Sequence, residues 1–289
     1  MNNKGQWYPG SMAKALNILS QDIKIIDLAV ELLDARIPVS SRNPALRKLL
    51  QGKKHLVLLH KADRAEDNIT EKWLGYFKDM DQQAMSFSVH NNKYLKNFLR
   101  FIKNEEENLR PGRIKRPLRM MVVGIPNVGK STLINHFVHK AVTRTGNQPG
   151  VTKGRQWIKI TPGLELLDTP GILWPKITES STWPLAAVGA MPPSRLDQQG
   201  IALWLLDIYK KKGKEELLSK RYGEFNSSNS EIMLEQIGTA HGCLQAAGQV
   251  DLERASALVL KDFQAGSLGR LTLEEPPEVF TDQHEEQSL

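Results

Sequence analysis

The chain has 289 residues, of which 40% are hydrophobic and 25% are charged, and this composition suits about two globular domains. No apolar run approaches the ~18 residues that a transmembrane helix needs, and the first ten residues lack the basic and apolar blocks of a secretion signal. Cys243 is the only cysteine, so an intramolecular disulfide is excluded. We therefore expect no membrane insertion and a reducing, cytoplasmic environment.

The charge is unevenly distributed along the chain. Lys and Arg exceed Asp and Glu by 39 to 32, which gives a formal net charge of +7. Residues 271–289 contain six acids and no Lys or Arg, which leaves +13 on residues 1–270. The strong positive charge of residues 1–270 predicts a polyanionic partner. Nucleic acid is favoured over a membrane because no amphipathic membrane anchor is visible. A basic surface without such a partner is the alternative.

Short apolar runs predict strands that are buried on both faces of a parallel sheet. They are LAVELL at 28–33, LVLL at 56–59, MMVV at 120–123 and LELL at 164–167. Each run is followed by polar or glycine-rich residues, and ligands of open α/β sheets bind beyond the carboxyl ends of the strands. We expect the segments after these runs to converge on one site.

Helical periodicity is found at both ends of the chain. Residues 12–26 follow a 3.6-residue period after Ser11, a candidate N-cap. After about residue 184 strand signals become sparse. Further helices are predicted near 195–211, 214–222, 231–241 and 251–264, with Ser230 and Asp251 as N-caps and Gly223 and Gly266 as stops.

These patterns predict an α/β fold in which a mostly parallel sheet carries helices on both faces. This domain is predicted to span residues 1–180. A small all-helical domain is predicted over 181–270, and an acidic, disordered tail over 271–289.

A phosphate-binding loop is predicted at residues 124–131, where GIPNVGKS fits G-x-x-x-x-G-K-[ST] between a predicted strand and a helical stretch. The glycines allow backbone N–H groups to face a β-phosphate. Lys130 is placed to reach the β- and γ-oxygens, and Ser131 to offer its hydroxyl to Mg²⁺. An ordinary glycine-rich turn would not require this lysine and serine. Further nucleotide contacts are predicted at Asn127, Val128, Gly129 and Thr132.

Two downstream segments complete a γ-phosphate site. DTPG at 168–171 ends a predicted strand, where Asp168 is placed to hold Mg²⁺ through water and the Gly171 N–H to meet the γ-phosphate. The turn-rich stretch 145–152 suits a switch loop whose Thr152 binds Mg²⁺ once nucleotide orders it. Lys130, Thr152 and Gly171 are therefore the predicted catalytic residues.

Together these motifs resemble those of translation-factor-type GTPases. HKAD at 60–63 resembles the guanine-reading N-K-x-D, and Ser86-Phe87-Ser88 resembles the loop that follows it. Both precede the phosphate loop, which is the order of a circularly permuted GTPase. With WYPG at 7–10, DARIP at 34–38 and DTPGILWP at 168–175, the chain resembles over nearly its whole length the YlqF/RbgA family, bacterial GTPases of large ribosomal subunit assembly.

The resemblance implies GTP as substrate, GDP as product, Mg²⁺ as cofactor, and the large ribosomal subunit precursor with its rRNA as partner. Guanine contacts are then expected at His60, Lys61, Ala62, Asp63, Phe87 and Ser88. The free protein is expected to be a monomer. Because the chain leaving Gly171 runs directly into the helical domain, we expect γ-phosphate contacts to reorient that domain.

His60 departs from the family pattern, which has Asn at this position. Asp63 can still accept hydrogen bonds from guanine N1 and N2, and a site built on such pairs rejects bases that lack them. His60 can donate one bond toward N7 or O6 but cannot copy both the donor and the acceptor of an amide. We therefore predict GTP binding with lower affinity. In the alternative interpretation, Asp63 caps a turn and His60 merely ends a strand.

The catalytic machinery also departs from the common pattern. Ile172 follows DTPG, so no side chain there orients water, and Ser11 stands where the family commonly carries His. A hydroxyl is too weakly basic to replace imidazole, and Ser11 as a helix cap is the simpler interpretation. Slow intrinsic hydrolysis is expected until a partner completes the site.

Basic residues at a turn between two predicted helices are candidates for rRNA phosphate contacts, although a solvated lysine face would show the same pattern. They are Lys210, Lys211, Lys212, Lys214, Lys220 and Arg221. The leading hypothesis is thus a GTPase switch that binds rRNA of an immature large subunit. An RNA-binding assembly module that holds nucleotide with little turnover, and a metabolic P-loop ATPase or kinase, are the alternatives.

Overall fold

A computed structural model describes residues 17–108, 116–145, 157–167, 177–191, 197–246 and 248–277. The described strands form one six-stranded sheet in the order β3-β2-β1-β4-β6-β5. Their bounds are β1 Leu28–Asp34, β2 Lys54–His60, β3 Ala84–Ser86, β4 Leu118–Gly124, β5 Trp157–Thr161 and β6 Leu164–Leu167. Neighbouring strands are parallel except for the antiparallel pair β5–β6. The predicted α/β class is confirmed.

Each of the apolar runs lies inside a strand, namely β1, β2, β4 and β6. Strand β1 is buried along its whole length, as expected for the centre of a sheet that is covered on both faces. Strands β3 and β5 were not predicted. Strand β3 has three half-buried residues, and β5 is a partly exposed edge strand, so neither contains a continuous apolar run.

Helices cover both faces of the sheet. They are α1 at residues 17–23, α2 Pro44–Leu49, α3 Asp67–Asp79, α4 Asn92–Asn108 and α5 Lys130–Thr145, with a 3₁₀ turn at Ala62–Arg64. On one face Val57 and Leu59 of β2 pack with Trp73 of α3. On the other face Leu58 belongs to the larger core, which includes Phe98 of α4. This alternation is the period of two that a pleated strand imposes.

The remaining helices pack around α10. They are α6 Glu179–Ala187, α7 Gln198–Lys211, α8 Glu215–Tyr222, α9 Ser230–Ala240 and α10 Leu252–Ala265. The helices predicted near 195–211, 214–222, 231–241 and 251–264 are therefore confirmed within three residues at each end. Among the described residues, none of the helices combines the length and the hydropathy that a membrane span requires.

The predicted helix ends hold with one correction. Asp251 caps α10 by accepting from the Arg254 N–H at 3.0 Å, and Gly266 ends that helix in the left-handed region with φ 84°. The N-cap of α9 is Asn229 rather than Ser230. Ser230 is instead buried and donates to the Asp207 carboxylate at 2.6 Å, so its hydroxyl is committed to a tertiary contact.

The C-terminal segment corrects the prediction of a disordered tail over 271–289. Residues 271–277 pack against the sheet domain, with Leu271 and Thr272 fully buried. The Trp73 indole donates to the Glu274 carbonyl at 3.0 Å, and the Glu274 carboxylate accepts from the Val39 and Ser40 N–H groups. Residues 278–289 lie outside the described ranges. The domain limits at 180 and 270 stay predictions.

Removal of residues 271–289 is expected to destabilise the whole chain. Burial of Leu271 alone stabilises by roughly 1.5–3 kcal/mol, and the hydrogen bonds of the segment add about 1 kcal/mol each. We expect the melting temperature to fall by at least about 5 °C in a calorimetric scan. A control that lacks only 278–289 keeps every described contact and should melt with the parent; equal melting of both truncations would contradict this packing.

Candidate nucleotide-binding site

The base-reading loop (residues 60–63) and the phosphate loop (residues 124–131) lie close together. The strands that precede them, β2 and β4, are separated in the sheet by one strand only. Strand β2 ends at His60 and β4 ends at Gly124, and β1 lies between them. In the sheet register Asp34 of β1 is opposite His60, and Leu32 is opposite Gly124. All three strands run parallel, so their carboxyl ends form one edge, as expected for a ligand site in an α/β sheet.

A cavity of about 250 Å³ lies between the two loops. Its lining includes predicted nucleotide contacts from three segments, namely His60, Lys61, Asp63, Ser88, Asn127, Gly129 and Thr132. It also includes Arg64, Val89 and His90, which sequence reasoning missed because they follow the recognised motifs without a pattern of their own. A larger depression of about 980 Å³ lies at the amino end of β2, on the opposite edge of the sheet.

Other predicted contacts lie beneath the cavity rather than in its wall. Ala62, Phe87 and Val128 are each at most 1% exposed. The Ala62 N–H donates to the Phe87 carbonyl at 3.1 Å, and this bond joins the two base-reading segments. In this structure these residues support the site through packing. Ser11, Thr152, Asp168 and Gly171 lie outside the described residues.

The phosphate loop has the tight backbone that its glycines predict. A Cβ on Gly124 would lie 2.7 Å from the Leu32 carbonyl oxygen, and a Cβ on Gly129 would lie 2.5 Å from the His60 ring. Both glycines have positive φ, and Asn127 is also left-handed with φ 57°. Side chains at either glycine would push the phosphate loop away from β1 or from the base-reading loop.

Lys130 lies inside the phosphate loop. Its buried ammonium donates to the Gly124 carbonyl at 3.1 Å and to the Ile125 carbonyl at 2.7 Å. Helix α5 begins at Lys130, so the first N–H groups of a helix also face this loop. A phosphate oxygen would compete with two neutral carbonyls for this ammonium, and a charged acceptor makes the stronger bond.

Lys61 bridges the base-reading and phosphate loops. Its ammonium donates to the Asp34 carboxylate and to the Asn127 carbonyl, each at 3.0 Å. Arg36 makes a two-point contact with the same carboxylate, at 2.9 and 2.8 Å. Burial would raise the pKa of Asp34, but the charges and hydrogen bonds of Arg36 and Lys61 hold it far below its usual value. Asp34 is therefore ionised throughout the physiological range.

His60 forms part of the cavity wall as a neutral imidazole. The residue is 3% exposed, its ring packs against Gly129, and the centroid of the Phe87 ring is 5.7 Å away. Burial, reinforced by the positive charge of Lys61, lowers the pKa of His60 to about 4. Neither ring nitrogen has a hydrogen-bond partner among the described residues. The neutral ring therefore carries one N–H donor that the described part of the chain leaves unpaired.

Known proteins are similar to this chain over most of its length. A family model described as "50S ribosome-binding GTPase" matches residues 119–234. Ribosome biogenesis GTPase A of Bacillus cereus is 40% identical over 94% of each chain, and that of Thermotoga maritima is 31% identical over 97% of this chain and 98% of the relative. GNP-bound YlqF from T. maritima superposes with a TM-score of 0.67 at 28% identity, covering 92% of this chain and all of that one.

The chain belongs to the YlqF/RbgA family of ribosome biogenesis GTPases. In this YlqF/RbgA chain the order of motifs places the base-reading loop after β2 and the phosphate loop after β4. The circularly permuted GTPase fold is therefore confirmed. Its carboxyl edge is assembled from segments that are distant in sequence.

The basic cluster predicted to bind rRNA is largely paired within the protein. Among the described residues, acidic partners lie within 4 Å of Lys210, Lys212, Lys214, Lys220 and Arg221, and these partners are Asp207, Glu275, Glu66, Glu216 and Asp262, respectively. Lys212 and Lys214 thus contact the C-terminal segment and the base-reading region. Lys211 is exposed and has no ion-pair partner in the described part of the chain.

Acid is expected to destabilise this YlqF/RbgA chain through His60. Its folded pKa of about 4 lies below the ordinary value of 6.5, so between these two pH values the unfolded chain binds a proton that the folded chain does not. The stability contributed by this residue is lost as pH falls through that window. We expect a loss on the order of 2 kcal/mol between pH 7.5 and pH 5, measured by urea unfolding.

Matched histidine substitutions isolate this effect. H60N should remove this part of the pH dependence, whereas H241N, at an exposed position that follows α9, should keep it. Identical pH dependence in the parent and H60N would show that His60 is not buried in its neutral form.

Proposed function

We propose that this chain binds GTP at the cavity between the two loops, hydrolyses it to GDP and acts in ribosome assembly. The contact between the two loops supports this function most directly. The Lys61 ammonium joins the base-reading loop to the phosphate loop at 3.0 Å, within a chain that is 40% identical to a ribosome biogenesis GTPase A. Family membership does not favour the alternatives of a module that only holds nucleotide or of a metabolic kinase.

Different residues of the site are proposed to contact the base and the phosphates. Asp63 accepts from guanine N1 and N2, and His60 donates its single N–H toward N7 or O6. Lys130 transfers its hydrogen bonds from the loop carbonyls to the β- and γ-phosphate oxygens, where its charge opposes the charge that builds up during phosphoryl transfer. The Gly171 N–H is proposed to meet the γ-phosphate.

The oxygen donors of the site suit Mg²⁺. Ser131 is exposed at the start of α5, directly after Lys130, and a hydroxyl is a hard donor of the kind that Mg²⁺ accepts. Thr152 and Asp168, the latter through water, are the other proposed ligands. When bound, the ion would neutralise phosphate charge; the chain itself supplies donors and positions the phosphates.

Hydrolysis is proposed to be slow in the free protein. Ile172 provides no water-orienting side chain after DTPG, and the hydroxyl of Ser11 is a weak base. A partner that completes the site would raise the rate. We propose that this partner is the large ribosomal subunit precursor with its rRNA, met in the cytoplasm by a monomeric protein.

Substitution of Asp63 tests guanine recognition. D63N exchanges one acceptor oxygen for a donor, so the side chain no longer matches the two donors at guanine N1 and N2 but matches the N1–H and O2 of xanthine. We expect GTP binding and hydrolysis to weaken at least about tenfold and those of XTP to strengthen. Titration calorimetry and phosphate release with both nucleotides give the result.

Substitution of Lys130 is the control for that experiment. K130A should lose affinity for GTP and for XTP alike, because the lysine contacts phosphate and not the base. K103A, on an exposed part of α4, should retain the parental values. Equal affinity of the parent for ATP and GTP would contradict the assignment of residues 60–63 to base recognition.

The rRNA contacts can be narrowed within the predicted cluster. Lys212 forms an ion pair with Glu275 of the C-terminal segment, and Lys214 forms one with Glu66, the residue that precedes α3. Lys211 and Lys220 are exposed. The ion pair of Lys220 with Glu216 is weak, because the two groups are 3.9 Å apart and both side chains are exposed to water. We propose that these two lysines contact rRNA phosphates.

Salt dependence tests this contact. Each neutralised phosphate contributes about −0.7 to −0.9 to the log–log slope of affinity against salt, so K211Q/K220Q should flatten that slope by about 1.4–1.8. Sedimentation with large-subunit precursors is the measurement. K93Q/K96Q, which removes two exposed lysines of α4, should leave it unchanged. A double variant that sediments like the parent at every salt concentration would identify the cluster as a solvated face.

A further inference from the structure

A buried ion network connects the base-reading loop to α10. Asp34 and Arg36 are both 0% exposed. Arg36 holds the Asp34 carboxylate with two donors and uses a third to reach the Phe263 carbonyl at 2.9 Å. Its guanidinium also lies 4.8 Å from the centroid of the Phe263 ring. Because Asp34 also binds Lys61, one carboxylate joins the base-reading loop to the helical region.

The C-terminal segment makes a second connection, on the other side of Asp63. The Leu271 N–H donates to the Arg64 carbonyl at 3.1 Å. Thr272 exchanges two bonds with Glu66: its hydroxyl accepts from the Glu66 N–H at 2.9 Å, and its own N–H donates to the Glu66 carboxylate at 3.0 Å. The chain that directly follows Asp63 is therefore held by residues from beyond α10.

The two connections share one short stretch of chain. The Leu273 N–H donates to the Arg36 carbonyl at 2.8 Å, so the residue that binds Asp34 and Phe263 is itself paired with the C-terminal segment. The Arg64 side chain also donates to the Gln264 carbonyl at the end of α10. A displacement of α10 relative to the sheet would disturb the residues on both sides of Asp63 at once.

We propose that Asp34, Arg36 and Thr272 are positioning residues for the base-reading loop. Through these three residues the helical domain sets the affinity of the site for the base. This inference rests on the proposed function. It differs from the route through Gly171, because it acts on the base and so affects GDP as well as GTP. By linkage, a partner that shifts the helical domain also changes nucleotide affinity, and nucleotide changes affinity for that partner equally.

The chemistry of Arg36 explains why the connection is sensitive. A planar guanidinium can serve the Asp34 carboxylate and the Phe263 carbonyl together, whereas an ammonium lacks the fixed fork of donors. R36K keeps the charge that ionises Asp34 but loses part of this geometry. Arg42 offers a matched control, since it also pairs with an acid, Glu31, and lies 5.4 Å from a phenylalanine ring, that of Phe77, but does not contact α10 in any described bond.

The experiment compares a ligand that has a base with one that has only phosphates. GDP and tripolyphosphate are titrated into the parent, R36K and R42K, with the folded fraction checked by melting. We expect R36K to weaken GDP about tenfold or more, R42K to weaken it less than about twofold, and tripolyphosphate to bind all three within about twofold. Equal GDP affinity in R36K and R42K, or equal losses of GDP and tripolyphosphate in R36K, would overturn the proposal.

A second variant decides the matter if R36K does not fold. T272V removes the hydroxyl that accepts from the Glu66 N–H. T239V removes an exposed hydroxyl that donates to the Glu235 carbonyl within α9. GDP should slow hydrogen exchange at the Leu271 and Leu273 amides in the parent and in T239V, and less in T272V. Equal protection in both variants would overturn the proposal. A parent without preference for GDP over ADP would contradict the proposed function instead.

Discussion

The ionised carboxylate of Asp34 is the interaction on which the site depends. It lies fully buried at the end of the central strand, where an unpaired charge would cost several kcal/mol. Arg36 and Lys61 compensate for that burial by surrounding it with donors. Because each cation also binds a carbonyl in another element, the pairing that satisfies the charge simultaneously fixes the phosphate loop and α10. Loss of either cation would leave a buried charge poorly satisfied.

The position of β1 explains how one carboxylate can do this. Strand β1 separates the base-reading strand from the phosphate-loop strand, so the residue at its carboxyl end faces both loops. Circular permutation changes the order in which these strands appear in the chain but leaves the edge of the sheet intact. It also places the helical region and the C-terminal segment after the last strand, from where residues 271–274 return to the backbone around Asp63.

The sequence predicted what depends on local patterns. Buried strands such as β1, the phosphate loop and the cap at Asp251 each have a signature within a few residues. The ordered structure of residues 271–277 was not predicted, because their acidic composition suggested exposure to solvent. In the structure Leu271 and Thr272 are buried, and the Glu274 carboxylate accepts hydrogen bonds from backbone N–H groups. The pairing of the basic cluster was missed for a related reason: partners such as Glu66 and Glu275 are distant in sequence.

The contact between the sheet and the helical region is built from specific polar groups as well as apolar surface. Hydrophobic burial tolerates small displacements, but hydrogen bonds from Arg36 or Thr272 weaken steeply when their geometry is lost. Buried donors left without partners carry a further penalty, so intermediate arrangements are disfavoured over either the fully paired state or one in which water or a partner replaces the lost bonds. A contact of this kind favours discrete positions of the helical region. The same bonds lie next to Asp63, which makes the base-reading loop the part of the site most directly exposed to such a change.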